Sequence, residues 1–186
     1  MIRKILIVLA AAIAILLVVI ALRPADFHYS RSATIAASPA TLFEQVNDLH
    51  NFQKWNPWAK VDPNAKITYS GPPSGVGAAY SWAGNNEVGE GTMTLTDSKP
   101  GELARFKMEF RKPMEGLSTT DFTFKPVGDK TLVTWGMYGP QPFIGKAMSL
   151  VIDSDKMCGD QFEKGLANLA ALVEKPSQPV IGATSR

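Results

Sequence analysis

The chain has 186 residues, 45% of them hydrophobic and 19% charged, with a formal net charge of +2 at pH 7. That length allows one domain and an appendage, and 19 Lys and Arg against 17 Asp and Glu, with no long basic run, exclude an ordinary nucleic-acid-binding surface. A single cysteine, Cys158, excludes an internal disulfide, and with only two histidines beside it the chain lacks the ligands of a usual structural zinc site.

Arg3 and Lys4 precede ILIVLAAAIAILLVVIAL, Ile5 to Leu22, which has no polar or charged side chain. At about 1.5 Å per residue such a helix extends roughly 27 Å, nearly the thickness of a bilayer core. The cationic flank places the N-terminus in the cytoplasm and the remainder outside. Leu22-Arg23-Pro24 offers no small-x-small cleavage site, so an uncleaved anchor over residues 1–23 is favoured over a signal peptide. Arg3 and Lys4 also account for the formal +2, which leaves the rest of the chain neutral. The expected location is the cytoplasmic membrane, single-pass, with an extracytoplasmic soluble domain, periplasmic in a Gram-negative host.

DFHYSRSATIAA alternates Phe27, Tyr29, Arg31, Ala33 and Ile35 with polar residues and predicts a first strand. Ser38-Pro39 then supplies an N-cap and a first-turn proline for a short helix carrying Leu42, Phe43, Val46 and Leu49. FQKWNPW follows, where Asn56-Pro57 closes the helical region. From Ala65 to Gly139 the period changes to two. Six strands are predicted, KITYSG, VGAAYSWAG, EVGEGTMTLTDS, ELARFKMEFRK, LSTTDFTFKPV and TLVTWGMYG, with turns such as GPPSG, AGNN, KPG and VGDK among them. Such short connections imply an antiparallel meander. Aromatic and sulfur-bearing residues take one face, while Lys107, Glu109, Arg111, Asp121 and Thr134 take the other.

The turn-rich GPQPFIGKAMSLVID leads to a final helix, Met157 to Glu174, whose stripe is Cys158, Phe162, Gly165, Leu166, Leu169, Leu172 and Val173. It alone is long enough to cover the apolar face, so the sheet is expected to curl around it. The domain is thereby bounded at 24–175, with a disordered tail over 176–186.

No cofactor or metal is expected. GPQPFIGK has the wrong spacing for a phosphate loop, and Ala147 stands where a magnesium-binding hydroxyl belongs. DSDKMCGD puts Met157 at an oxygen-ligand position of a calcium loop, so Asp153 or Asp155 is read as a helix cap. Gly75 to Gly77 and Gly89 to Gly91 open no helix and are read as bulges or strand bends. The acid–base candidates are carboxylates, of which Glu109 and Asp121 fall on the polar face; Glu87 or Glu90 turns inward only if a glycine bulge reverses the parity.

The order of elements and several phrases resemble the START-like, or SRPBCC, superfamily, in its polyketide cyclase/dehydrase and lipid transport branch and especially its membrane-anchored bacterial members. The phrases are Ser38-Pro-Ala-Thr-Leu-Phe, Trp55-Asn-Pro-Trp58, Gly75-Val-Gly77 with Tyr80-Ser-Trp82, Gly89-Glu-Gly-Thr-Met93, Thr131-Leu-Val-Thr-Trp135 and Asp160-Gln-Phe-Glu-Lys-Gly-Leu166, across about Phe27 to Glu174. The resemblance implies an α+β helix-grip fold, a curved antiparallel sheet of about seven strands around a long C-terminal helix, with a hydrophobic cavity between them. It carries no catalytic motif that maps onto residues of this chain.

The expected function is therefore a membrane-tethered binding or carrier domain for a small hydrophobic or lipid-like ligand. Trp82, Met93, Phe106, Met108, Phe110, Phe122, Trp135 and Met137 would line the cavity from the sheet, Phe162 and Leu166 from the helix, and Trp55 and Trp58 would stand at its mouth. The alternatives are a cyclase- or dehydratase-like enzyme using Glu90 or Tyr80 as acid or base, and an envelope interaction module with a solid core. Oligomeric state is left open.

Overall fold

Residues 1–174 are described by a computed structural model and carry six helices and seven strands. The tail expected at 176–186 lies outside the described residues. Helix α1 spans Ile2–Ala21, and of its side chains only Ile20 is buried. Four residues, Leu22 to Ala25, join it to strand β1, Asp26–Ile35.

Capping residues set the short helices that follow. The Ser38 hydroxyl accepts from Thr41 N at 3.2 Å and starts α2, Pro39–Asn47; Asp48 Oδ1 accepts from His50 N at 2.8 Å and starts α3, Leu49–Trp55. The Asn56-Pro57 step ends α3, and α4 is one turn, Trp58–Val61. Strands β2 (Lys66–Ser70), β3 (Ala79–Ala83), β4 (Glu90–Lys99), β5 (Leu103–Lys112), β6 (Gly116–Val127) and β7 (Lys130–Pro140) then follow. They pair antiparallel in the order β1-β7-β6-β5-β4-β3-β2, a meander whose last strand takes β1 as its outer neighbour.

The registers give this sheet two distinct ends. Asp26 opposite Pro140, Gly116 opposite Phe110, Lys112 opposite Glu90 and Ala83 opposite Lys66 lie at the end where α1 joins. Ile35 opposite Thr131, Val127 opposite Lys130 and Ser70 opposite Ala79 lie at the far end. The inner face carries the expected alternation, with Tyr80, Trp82, Met93, Leu95, Phe106, Phe122, Phe124, Val133 and Trp135 buried. On the outer face Arg105 forks onto Asp121, with Nε–Oδ1 and Nη2–Oδ2 both 2.8 Å.

The stretch expected to be turns contains a helix, α5, Phe143–Met148. The final helix, α6, spans Ser154–Val173 and starts a turn before the expected Met157. Asp153 Oδ1 accepts from Lys156 N at 2.9 Å there, and its first turn carries no apolar residue that periodicity could detect. It lies against the inner face, and Gly165 sets how closely: a Cβ at that position would overlap the Trp135 ring. Arg31, on the inner parity of β1, fixes the start of α6 through Asp155 and Glu163, each at 3.1 Å.

Helices α2 and α3 fill the far half of the space between sheet and α6. Leu42, Phe43, Val46, Leu49 and Phe52 are buried in the same core as Phe124, Phe162, Leu166 and Leu169. Toward the end where α1 joins nothing comparable enters, and a cavity is left.

Candidate functional site

The cavity has a volume of about 330 Å³, at the small end of the range of about 300–1,000 Å³ for small-molecule sites. Its sheet wall is made by Ile67 of β2, Tyr80 and Trp82 of β3, Met93 of β4, Met108 and Phe110 of β5, Thr120 and Phe122 of β6, and Trp135 and Met137 of β7. Period two brings them to one face. Ile67 sits opposite Trp82, Met93 opposite both Tyr80 and Met108, and Thr120 and Phe122 opposite Met137 and Trp135, so neighbouring residues of six adjacent strands share the wall. Cys158 and Phe162 of α6 close the other side, one turn apart on the same stripe.

Aromatic geometry holds the wall open. Trp135 stacks on Phe162 with centroids 4.5 Å apart and 13° between planes. Trp58 stands edge-on to both, at 5.7 Å and 6.2 Å. Trp82 lies over the bare backbone of Gly91, where any Cβ would enter its ring, and its Nε1 donates to Val88 O at 3.2 Å. The register slip between Glu90 and Gly91 is the bulge that the glycine pair implies.

The structure brings together eight of the ten residues expected to line a cavity: Trp82, Met93, Met108, Phe110, Phe122, Trp135, Met137 and Phe162. Phe106 and Leu166 stand outside it, both completely enclosed in the core. Each belongs to the far half, which α2 and α3 have filled, a partition that strand parity cannot reveal. The two tryptophans of FQKWNPW also separate. Trp58 is half-buried in the cavity wall, whereas Trp55 is 1% exposed behind it and donates Nε1 to Gln45 O at 3.0 Å.

The polar rim comes from loops and the ends of elements, which is why alternation in the sequence gives no sign of it. Gln53 and Asn56 at the end of α3, Asp62 after α4, Glu87 between β3 and β4, and Lys112 at the close of β5 border the cavity. Asp62 Oδ2 accepts from Asn85 N at 2.7 Å and ties two of these loops together. Lys112 Nζ meets Glu90 Oε1 at 2.6 Å, so Glu90 is held in a partly exposed ion pair at the rim.

Inside, two groups titrate away from neutrality. Burial raises the Tyr80 phenol well above its ordinary value, and burial likewise raises the Cys158 thiol, with a smaller push from Asp155 and a weaker opposing pull from Arg31. Both are therefore neutral at pH 7. Of the lining residues, Thr120 and Trp135 each bury a polar atom, Oγ1 and Nε1, out of reach of solvent and without a hydrogen-bond partner among the described residues. Among those residues no group of three or more His, Cys, Asp or Glu is placed to hold a metal ion.

Similarity to known proteins follows the domain just described. A family model described as polyketide cyclase / dehydrase and lipid transport matches residues 26–174. Protein CV1439 from Chromobacterium violaceum superposes with a TM-score of 0.57 at 18% identity, covering 82% of this chain and 99% of its own. Mll3558 from Rhizobium loti gives 0.59 at 20% identity, with 78% and 96% covered. The Aha1 dimer from Colwellia psychrerythraea gives 0.59 at 17% identity, with 82% and 99% covered. At these identities the likeness is one of fold. No curated protein matches the sequence.

Proposed function

Because the chain belongs to the polyketide cyclase / dehydrase and lipid transport family, we propose that its cavity binds or carries one small hydrophobic molecule while α1 holds the domain to a membrane. The observation that carries this reading is the apolar cavity itself, about 330 Å³ between the sheet and α6. That size suits an aromatic molecule or a single acyl chain better than a diacyl lipid. Trp82, Phe110, Phe122, Trp135 and Phe162 offer ring faces and edges, while Met93, Met108 and Met137 adapt to shape. Apolar area removed from water there contributes about 25 cal/mol per Å² before the costs of association. Phe106, Leu166 and Trp55 support the wall from behind rather than touching the ligand.

An acid–base role for Tyr80 is not favoured, because a general base works best with a pKa near the operating pH and burial drives this phenol away from it. The test is native mass spectrometry of the full chain in detergent, combined with uptake of the fluorophore N-phenylnaphthylamine. A bound small mass or saturable uptake is expected, and Met108→Trp, which fills the cavity, should abolish either. The absence of both a bound mass and probe uptake in the unaltered protein would overturn the reading.

A further inference from the structure

The loops that border the cavity all lie at one end of the sheet. Asp62 follows α4, Glu87 sits in the β3–β4 turn, and Lys112 and Pro113 open the β5–β6 turn. The registers place these turns at the end where β1 begins and α1 joins. The mouth and the anchor thus share an end of the molecule.

The same end carries most of the large apolar side chains that the domain exposes. Met114 protrudes from the β5–β6 turn, Leu117 from the start of β6, Phe143 and Ile144 from α5, Val151 from the α5–α6 connection and Met157 from the start of α6, Ile144 at 61% and Val151 at 86% exposure. At the far end Tyr69, Val76, Val127 and Leu172 stand apart, on the end of β2, a loop, the end of β6 and the tail of α6. Isolated exposed apolar residues are ordinary, but a concentration at one end marks a surface that another phase or molecule covers.

Continuity with α1 says which. α5 packs beside α1, Gln141 N donates to Ala25 O at 2.7 Å just before α5, and α1 is a 20-residue apolar helix, exposed but for Ile20. An environment that covers α1 and the α5 patch together is a lipid surface, in which α1 is immersed and α5 lies at the headgroup boundary.

We propose that the cavity opens onto the membrane surface, so that its ligand enters from and returns to the lipid leaflet beside the anchor without crossing bulk water. This rests on the reading of the cavity as a ligand site. α5 and the β5–β6 turn are the contact elements, and the loops bearing Asp62 and Glu87 complete the mouth between them.

The test uses the full chain in lipid nanodiscs with a photoreactive p-benzoylphenylalanine replacing Ile144 or Met114, and Val76 or Val127 as comparators. Lipid adducts are expected at Ile144 and Met114 and not at Val76 or Val127. In parallel, Phe143→Asp with Ile144→Asp should slow delivery of N-phenylnaphthylamine from nanodisc lipid and leave its binding in detergent unchanged. If the fluorophore binds in detergent while Ile144 and Met114 give no more lipid adduct than Val76, the membrane-facing mouth is overturned and the cavity reading stands. Lipid adducts at Ile144 and Met114 with no fluorophore binding support the apposition and remove the cavity reading instead.

Discussion

Two tryptophans three positions apart meet different surroundings. Trp55 lies edge-on to Phe52, Phe122 and Trp135 at centroid distances of 4.8, 5.9 and 5.7 Å, and its carbonyl accepts from Asn168 Nδ2 at 3.1 Å. It therefore joins α3, the sheet and α6 in one place. Trp58 stays half-buried in the cavity wall. Trp55→Ala should cost about 3–5 kcal/mol, the range for a large buried aromatic, with or without a hydrophobic probe. Trp58→Ala should cost less and chiefly lower probe uptake. Urea titration of the full chain in detergent, with and without N-phenylnaphthylamine, measures both; a Trp55→Ala effect seen only with the probe would move that side chain from core to site.

At the scale of elements, the contact of α6 with the sheet sets the height of the cavity roof. Gly165 allows that approach, since Trp135 and Pro57 occupy the space a side chain would need. Gly165→Leu gains about 1 kcal/mol of helix propensity but overpacks this contact, a cost of about 1–3 kcal/mol or more. A net loss in the urea midpoint is expected, together with weaker probe uptake as Trp135 is displaced. Gly116→Ala, with open space around it, should change neither. The strands were legible in the sequence because Phe106, Phe122 and Trp135 sit in period-two runs, and α6 because Phe162, Leu166 and Leu169 recur on one stripe. α5 was not, since six residues between prolines and serine give no periodic stripe to detect. Nor was the division of the inner face into filled and open halves, which depends on where α2 and α3 come to rest.

For the molecule as a whole, the membrane role proposed for α1 would determine where the cavity acts. Its helix and apolar composition fit a single membrane span or a signal sequence, and its packing against α5 favours a retained segment. Carbonate-washed membranes from cells making the full chain should keep the protein, and its intact mass should include residues 1–23. A released chain that begins beyond Ala21 would contradict the anchor. The link between Ala21 and Asp26 has a further consequence. Four residues reach at most about 14 Å when fully extended, and the Gln141 N to Ala25 O bond takes up part of that length. With α1 held in a bilayer as proposed, the domain would be on a short leash: it would diffuse laterally with α1 and not swing across to an opposing bilayer, so a partner receiving the proposed ligand would have to come within a few nanometres of that membrane.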